Sequence, residues 1–203
     1  MTLEAYLNSL ADATPTPGGG SVAALCGALA AALTGMVASL AVGKEGYESV
    51  QTDVKDLENR SKDLQRRLVV LMEEDAKAYD AVVAAIRLPR KSDEERAERV
   101  RAMQTAYEHA TMVPLDTMAA SSEALSAALV AAQKGNRNAI TDAGTAALVA
   151  EAGLRAAALN VRINLAALKD NATRTRIEAQ LSRILQDADR VGHTVLALVE
   201  GRL

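Results

Sequence analysis

The 203-residue sequence has very few aromatic side chains. Phe and Trp are absent, and four tyrosines supply the whole 2% aromatic content, while alanine occupies 42 positions. Because β-sheets favour aromatic and β-branched residues and alanine is the strongest helix former, this composition predicts an all-α protein and excludes β-sandwiches and β-barrels. The same scarcity, with a net charge of −3, argues against nucleic-acid binding, which uses stacking aromatics on a basic surface.

Cysteine, histidine and early basic residues are also scarce. Cys26 is the single cysteine, so no internal disulfide can form, and His109 and His193 are too far apart for a common zinc motif. The first basic residue is Lys44, whereas a signal peptide begins with positive charge. We therefore expect a reducing, cytoplasmic setting and no bound metal.

An uncharged run from Gly19 to Val42 is long enough to cross a bilayer. It consists mainly of small residues, and a small residue recurs at every fourth position, which allows close helix packing in soluble and membrane proteins alike. Mean hydropathy of the whole chain is near zero, and there is no second uncharged span. We therefore expect a buried central helix and no membrane association.

Proline, glycine and capping residues divide the chain into six or seven helices. We expect a single domain over residues 1–203, folded as an elongated multi-helix bundle. Ser92 and Glu95 have the spacing of a capping box, and Pro114 is expected to separate or kink a helix. The predicted helices cover residues 2–11, 21–43, 49–85, 92–135, 142–168 and 173–200.

Asp75 interrupts an apolar seam. From Val50 to Ala85, small and apolar residues recur at alternating intervals of four and three, as in a coiled coil, and Asp75 occupies one of these positions. A buried carboxyl group has a raised pKa and can exchange protons near neutral pH. The alternatives are a seam that opens to water at this point and a structural ion pair.

Polar residues share one face of the helix predicted from Asp142. Asp142, Asn160 and Asn164 alternate there with small residues, and Asn138 precedes them in a short loop. Space and amide groups together suit a flat polar ligand. In the other interpretation the asparagines bridge two tightly packed helices, and Asp142 stabilises a helix N-terminus.

Two further features suit an anionic group. Gly19, Gly20 and Ser21 lie at the start of the uncharged helix, where free backbone N–H groups can bind an anion or a carbonyl oxygen. A flexible turn capped by Ser21 explains the same residues equally well. Lys44 follows this helix, either as a solvated charge that suits the helix dipole or as a partner for a ligand carboxylate.

Several motifs resemble those of the cyclodeaminase/cyclohydrolase family, which includes the C-terminal domain of formiminotransferase-cyclodeaminase and stand-alone methenyltetrahydrofolate cyclohydrolases. They follow the family order over most of the chain. Tyr79 stands where many relatives have Phe, which is a mild departure. The motifs are residues 14–25 (TPTPGGGSVAAL), 43–44 (GK), 75–79 (DAKAY), 88–89 (LP), 113–115 (VPL), 135–138 (GNRN) with Asp142, and 160–165 (NVRINL).

The resemblance implies an all-helical homodimer that acts on a tetrahydrofolate derivative without metal or cofactor. The expected reaction is cyclodeamination of 5-formiminotetrahydrofolate to 5,10-methenyltetrahydrofolate and ammonia, and a separate formiminotransferase is a candidate partner. The alternative within the family is cyclohydrolysis of 5,10-methenyltetrahydrofolate to 10-formyltetrahydrofolate. An alternative of another class is a non-catalytic helical scaffold, which would bind no folate.

The resemblance also assigns roles to residues already selected by their pattern. Asp75 matches the proposed catalytic carboxylate of the family and is expected to move protons. Tyr79, one turn further on, is the aromatic side chain expected to contact the pteridine ring. The polar groups expected to orient that ring are Asn138, Asp142, Asn160 and Asn164, and those expected to receive anionic or carbonyl groups are Gly19, Gly20, Ser21 and Lys44.

Overall fold

The computed structural model describes residues 2–203 and contains six α-helices, with no strand in this range. The prediction of an all-α bundle is therefore confirmed. Short 3-10 turns at Glu48–Val50 and Arg137–Ala139 precede the third and fifth helices. The α-helices are α1 (Leu3–Ala11), α2 (Gly19–Ser39), α3 (Gln51–Ile86), α4 (Asp93–Lys134), α5 (Ile140–Leu165) and α6 (Asn171–Glu200).

Helix α2 is the centre of the bundle and packs against α3, α4 and α5, while α6 covers α4 and α5. It is long and apolar enough to span a membrane, and 56% of its most apolar stretch is buried inside the fold. Asp75 in the second half of α3 lies beside the start of α2, and so does Asn160 near the end of α5. Both helices are therefore antiparallel to α2.

Small side chains allow these helices to approach closely. A methyl group added at Gly153 of α5 would lie 2.6 Å from the carbonyl oxygen of Ala23 in α2, which is closer than atoms can come without movement. Alanine supplies most of the remaining contacts between α2, α4 and α5. The abundance of alanine thus produces a core in which helix backbones nearly touch.

The seam predicted along α3 is confirmed by its burial. The side chains at the predicted positions face the bundle, and charged residues between them face water. Asp75 and the preceding Leu71 are only partly buried, so the seam opens slightly at this point. The fully packed seam residues are Val54, Leu57, Ser61, Leu64, Leu68, Ala78, Val82 and Ala85.

Helix boundaries differ from the prediction at the glycines. Helix α2 begins at Gly19, two residues earlier than predicted, because Gly18 acts as its N-cap and Val22 bonds to the Gly18 carbonyl. It ends at Ser39, and Gly43 adopts a φ of 68° in the turn that follows. This left-handed conformation suits glycine and explains why the chain turns here.

Pro114 neither separates two helices nor ends one, because α4 continues from Asp93 to Lys134. A proline removes one backbone hydrogen bond, so the carbonyl four residues earlier needs another donor. That carbonyl belongs to Ala110, and the side chain of Asn164 in α5 donates to it at 2.6 Å. The predicted capping box of the same helix, formed by Ser92 and Glu95, is confirmed.

Candidate functional site

A cavity of about 490 Å³ lies at the end of the bundle where α2 begins and α5 ends. Its volume is within the range of small-molecule sites, and its wall is mainly apolar with a few polar groups. Four parts of the chain form it: the loop before α2, the second half of α3, the middle of α4 and the last turns of α5. The residues from these parts are Pro15, Thr16, Gly18, Gly19, Gly20, Asp75, Ala78, Tyr79, Val82, Val83, Ile86, Tyr107, Ala110, Asn160, Ile163, Asn164 and Ala167.

Asp75 is the acidic group of this cavity. Its carboxyl group lies against the first turn of α2, where a methyl group added at Gly20 would be 1.9 Å from Oδ1 of Asp75. Glycine at position 20 is therefore a steric requirement for this contact. Gly19 differs, because a methyl group there would have an ordinary contact of 3.7 Å with Nδ2 of Asn160.

The environment of Asp75 favours its protonated form. Burial raises the pKa of the carboxyl group above its ordinary value, and the backbone N–H of Ser21 opposes this shift by stabilising the charged form. A carboxyl group with a raised pKa is better suited to general acid–base chemistry than one with the ordinary value. The proton-exchange interpretation of Asp75 therefore agrees with its surroundings, and no ion pair contributes to the pKa shift.

Two asparagine amides face the same cavity from α5. Nδ2 of Asn160 donates to the Ala156 carbonyl at 3.0 Å, within its own helix. Nδ2 of Asn164 donates to the Ala110 carbonyl on α4, so this side chain also bridges two helices. Asn164 therefore joins two helices, as one interpretation expected, and its position in the cavity wall is compatible with the ligand-binding role that the other predicts.

The other predicted site residues lie outside the cavity. Ser21 is buried beneath it, with its hydroxyl 3.0 Å from the hydroxyl of Tyr6, so it fixes α1 against α2. Lys44, Asn138 and Asp142 lie at the opposite end of the bundle, beyond the end of α2 or beside the start of α5. Since α2 has 21 residues, about 30 Å separates these two ends.

The comparisons with known proteins point in one direction. A family described as formiminotransferase-cyclodeaminase matches residues 2–183. The chain belongs to this family. It is 41% identical to a methenyltetrahydrofolate cyclohydrolase of Methylorubrum extorquens, over 100% of this chain and 97% of that protein.

Other members of the formiminotransferase-cyclodeaminase family extend the comparison. A formimidoyltransferase-cyclodeaminase of Rattus norvegicus is 32% identical over 99% of this chain, which spans only 37% of that longer protein. The crystal structure of formiminotetrahydrofolate cyclodeaminase from Thermotoga maritima superposes with a TM-score of 0.90 at 27% identity, covering 99% of this chain and 96% of that one. Sequence and architecture therefore agree on the family.

Several residues of the cavity in this family member were not among those predicted from the sequence. Tyr107 is the clearest case. It is one of only four tyrosines in the chain, and it lines the cavity from α4. The apolar wall formed by Val82, Val83 and Ile86 continues the α3 face that carries Asp75 and Tyr79. Helical spacing from Asp75 would have found these residues, whereas Tyr107 depends on how α4 packs against α3.

Acidic, histidine and cysteine side chains do not cluster as metal ligands. Within residues 2–203, no group of three or more of them could hold a metal ion. The chemistry available in the cavity is that of one carboxyl group, two amides, two tyrosines and the N-terminal amides of α2. This set is suited to proton transfer and to hydrogen bonding with a flat heterocycle.

Proposed function

We propose that this protein catalyses cyclodeamination of 5-formiminotetrahydrofolate in the cavity that contains Asp75. The observation that carries the proposal is the partly buried Asp75 carboxyl group, held beside the N-terminus of α2 in a cavity of suitable size. Family membership supplies the substrate class, since its named members act on tetrahydrofolate derivatives. The enzymatic relatives give no support to the scaffold alternative.

In the proposed reaction Asp75 moves one proton. N10 attacks the carbon of the protonated formimino group on N5, and this carbon becomes tetrahedral. The Asp75 carboxylate takes the proton from N10. The resulting carboxylic acid gives this proton to the amino group, the carbon–nitrogen bond breaks and ammonia leaves. Asp75 returns to its carboxylate form, and the positive charge remains on the methenyl bridge.

The second candidate is cyclohydrolysis, favoured by the 41% identity to a cyclohydrolase over nearly the full length of both proteins. Here water attacks the methenyl carbon and Asp75 takes one of its protons. The bond from this carbon to N5 then breaks as Asp75 protonates N5, and the remaining hydroxyl proton is released to solvent. The product is 10-formyltetrahydrofolate. The same residue therefore serves both reactions.

Two assays on the purified protein test these reactions separately. Ammonia release from 5-formiminotetrahydrofolate measures cyclodeamination, and the loss of 5,10-methenyltetrahydrofolate absorbance measures its hydrolysis. We expect turnover in at least one assay and its loss in Asp75→Asn. Turnover in neither, with no thermal stabilisation by either folate, would refute the proposal.

The cavity is also proposed to include residues from a second copy of the chain. Helices α2 and α5 expose apolar side chains along their length, in contrast to the outer face of α6, which exposes no large apolar side chain. Such a surface suits a two-fold interface, in which the same patch meets itself. The exposed apolar residues of these helices are Leu29, Met36, Leu148, Leu159 and Ile163.

A two-fold axis perpendicular to α2 would make the two copies of this helix antiparallel. The far end of one protomer would then lie beside the cavity of its partner, and Lys44, Asn138 and Asp142 would reach the partner's substrate. This arrangement accounts for predicted site residues that lie about 30 Å from the cavity of their own chain. Ile163, which lines the cavity and is 72% exposed, would be covered.

Mixing inactive variants tests the shared site. Asp75→Asn and Lys44→Ala protein, unfolded together and refolded, should regain up to about a quarter of the wild-type activity, because half the dimers are mixed and each has one intact site. The matched control combines Asp75→Asn with Asn160→Ala. Asp75 and Asn160 line the cavity of the same protomer. Each cavity of a mixed dimer therefore carries one of the two changes, and no intact site forms. Equal recovery in the two mixtures would contradict the arrangement.

Further expectations accompany the proposal. The reaction as written needs neither a metal nor a cofactor, and a reducing cytoplasm is the expected setting. The Rattus norvegicus relative is named for a transferase and a cyclodeaminase, and this chain spans 37% of it. We therefore propose that a separate formiminotransferase supplies the substrate. Neither nucleic acid nor membrane has a part in this scheme.

A further inference from the structure

Pro114 is buried in the middle of the 42-residue helix α4. Proline has no backbone N–H, so it cannot donate the hydrogen bond that Ala110, four residues earlier, would otherwise accept. Ala110 is itself buried and lines the cavity. A carbonyl group left unpaired in such a position is costly, and it therefore requires a donor from outside α4.

Asn164 supplies that donor, with Nδ2 at 2.6 Å from the Ala110 carbonyl oxygen. Only the NH2 end of a carboxamide can donate to a carbonyl, so this contact fixes which way the amide is turned. Oδ1 of Asn164, held on the same carbon, is directed away from Ala110. Since Nδ2 is engaged with α4, Oδ1 is the end of the amide left for a ligand in the cavity that Asn164 lines.

We propose that Pro114 is a positioning residue for substrate binding. By withholding an N–H group from α4, it leaves the Ala110 carbonyl free to anchor the amide of Asn164, which then presents Oδ1 as a hydrogen-bond acceptor. The ligand group that fits this acceptor is an N–H of a flat heterocycle. The inference rests on the proposed function in one respect, since the tetrahydropterin ring provides such N–H donors.

The first test needs no ligand. In Asn164→Ala the Ala110 carbonyl loses its donor, so the melting temperature should fall. In a Pro114→Ala background the new alanine can donate to that carbonyl within α4, so adding Asn164→Ala should lower the melting temperature less. Equal losses in the two backgrounds would overturn the proposed link between Pro114 and Asn164.

The second test uses the preferred folate substrate and compares KM with kcat. Pro114→Ala should raise KM by about three- to ten-fold, the value of one neutral hydrogen bond, and change kcat by less than about two-fold. Asn164→Ala should raise KM at least as much, and the double variant no more than Asn164→Ala alone. Pro89→Ala, in the exposed turn before α4, is the control for losing a proline.

These outcomes separate the inference from the proposed function. An unchanged KM in Pro114→Ala, or additive effects in the double variant, would refute the positioning role while leaving the reaction intact. Failure of the proposed function would appear as absent turnover in the wild-type protein. The melting-temperature comparison would still decide whether Pro114 and Asn164 are coupled.

Discussion

The two ends of the bundle use their polar side chains in opposite ways. The far end is the end of the bundle opposite the cavity, where α2 ends and α5 begins. Gln51 there donates to the carbonyls of Ala41 and Tyr47 and accepts from the Gly43 N–H, so it holds the loop after α2 in place. At the cavity end, Asp75 is partly buried without an ion pair that contributes to its pKa. The polar groups of the far end stabilise the fold, whereas the cavity end retains a carboxyl group whose charged form is disfavoured by burial.

Further hydrogen bonds at the far end join the loop before α5 to the loop after α2. Nδ2 of Asn136 donates to the Leu40 carbonyl at 2.8 Å, and the Arg137 N–H donates to the hydroxyl of Tyr47 at 3.0 Å. These bonds tie the start of α5 to the end of α2. The far-end loop is thus held by hydrogen bonds within one chain, whereas the Asp75 carboxyl group at the cavity end has no ion pair that contributes to its pKa.

The largest effect is expected from Asp75→Asn. Asparagine keeps the size of the side chain but cannot exchange the proton, so kcat should fall by about 10²- to 10⁴-fold, the usual contribution of a general acid–base group. Steady-state assays with both folate substrates measure it. An unchanged kcat in a folded Asp75→Asn variant would show that Asp75 does not transfer the proton.

Gly20→Ala should have the next largest effect, because the added methyl group would lie 1.9 Å from Oδ1 of Asp75 and must displace it. We expect kcat/KM to fall by about 10-fold or more, since small misplacements of reacting groups are costly. Gly192→Ala, inside α6, is the matched control, because its methyl group would meet only the flexible end of Glu151. Equal activity in the two variants would contradict the steric argument.

Gln51→Ala tests the far end. The variant loses hydrogen bonds to three backbone groups, so the free energy of unfolding should fall by about 1–3 kcal/mol. Denaturant unfolding measures this change. A loss below a few tenths of a kcal/mol would mean that water replaces Gln51 and that the far end does not depend on it.

The smallest expected effect is a pH-dependent difference in stability between Asp75→Asn and the wild type. Burial raises the pKa of Asp75 in the folded state, so the folded protein binds this proton more tightly than the unfolded chain does. The stability that Asp75 contributes is present below its ordinary pKa and is lost as pH rises through the raised value. The melting temperature of the wild type should therefore fall relative to that of Asp75→Asn across this window, whereas a constant difference would contradict it.

The fold was largely predictable because its signals are local. The seam of α3, the capping box at Ser92 and the uncharged run of α2 each depend on residues close in sequence, and the structure confirms them. Pro114 does not separate two helices, which was one of the two expectations for it, because the effect of a proline depends on contacts outside its own helix. The donor that allows α4 to continue is Asn164, 50 residues later in the chain.

The candidate site was partly predictable for the same reason. Asp75 is predictable because it interrupts the apolar seam of α3, Tyr79 because it follows one turn later in the family motif, and Asn160 and Asn164 because they share one face of α5. Tyr107 was missed because no short-range pattern connects it to them. Helical spacing puts Asp142 on the face of Asn160 and Asn164, and the resemblance adds Lys44 and Asn138, but their own chain places Lys44, Asn138 and Asp142 at the end of the bundle opposite the cavity.

By itself the sequence determined the helical class, the apolar seams and the misplaced carboxyl group, because composition and periodicity act within a few turns of helix. The tertiary structure alone decided what lies opposite these features. It placed Gly20 against Asp75, the Ala110 carbonyl against Asn164, and Gln51 under the loop that carries Lys44. The first two contacts depend on how antiparallel helices align, and the third depends on how the loop after α2 folds back on the start of α3, neither of which a local pattern specifies.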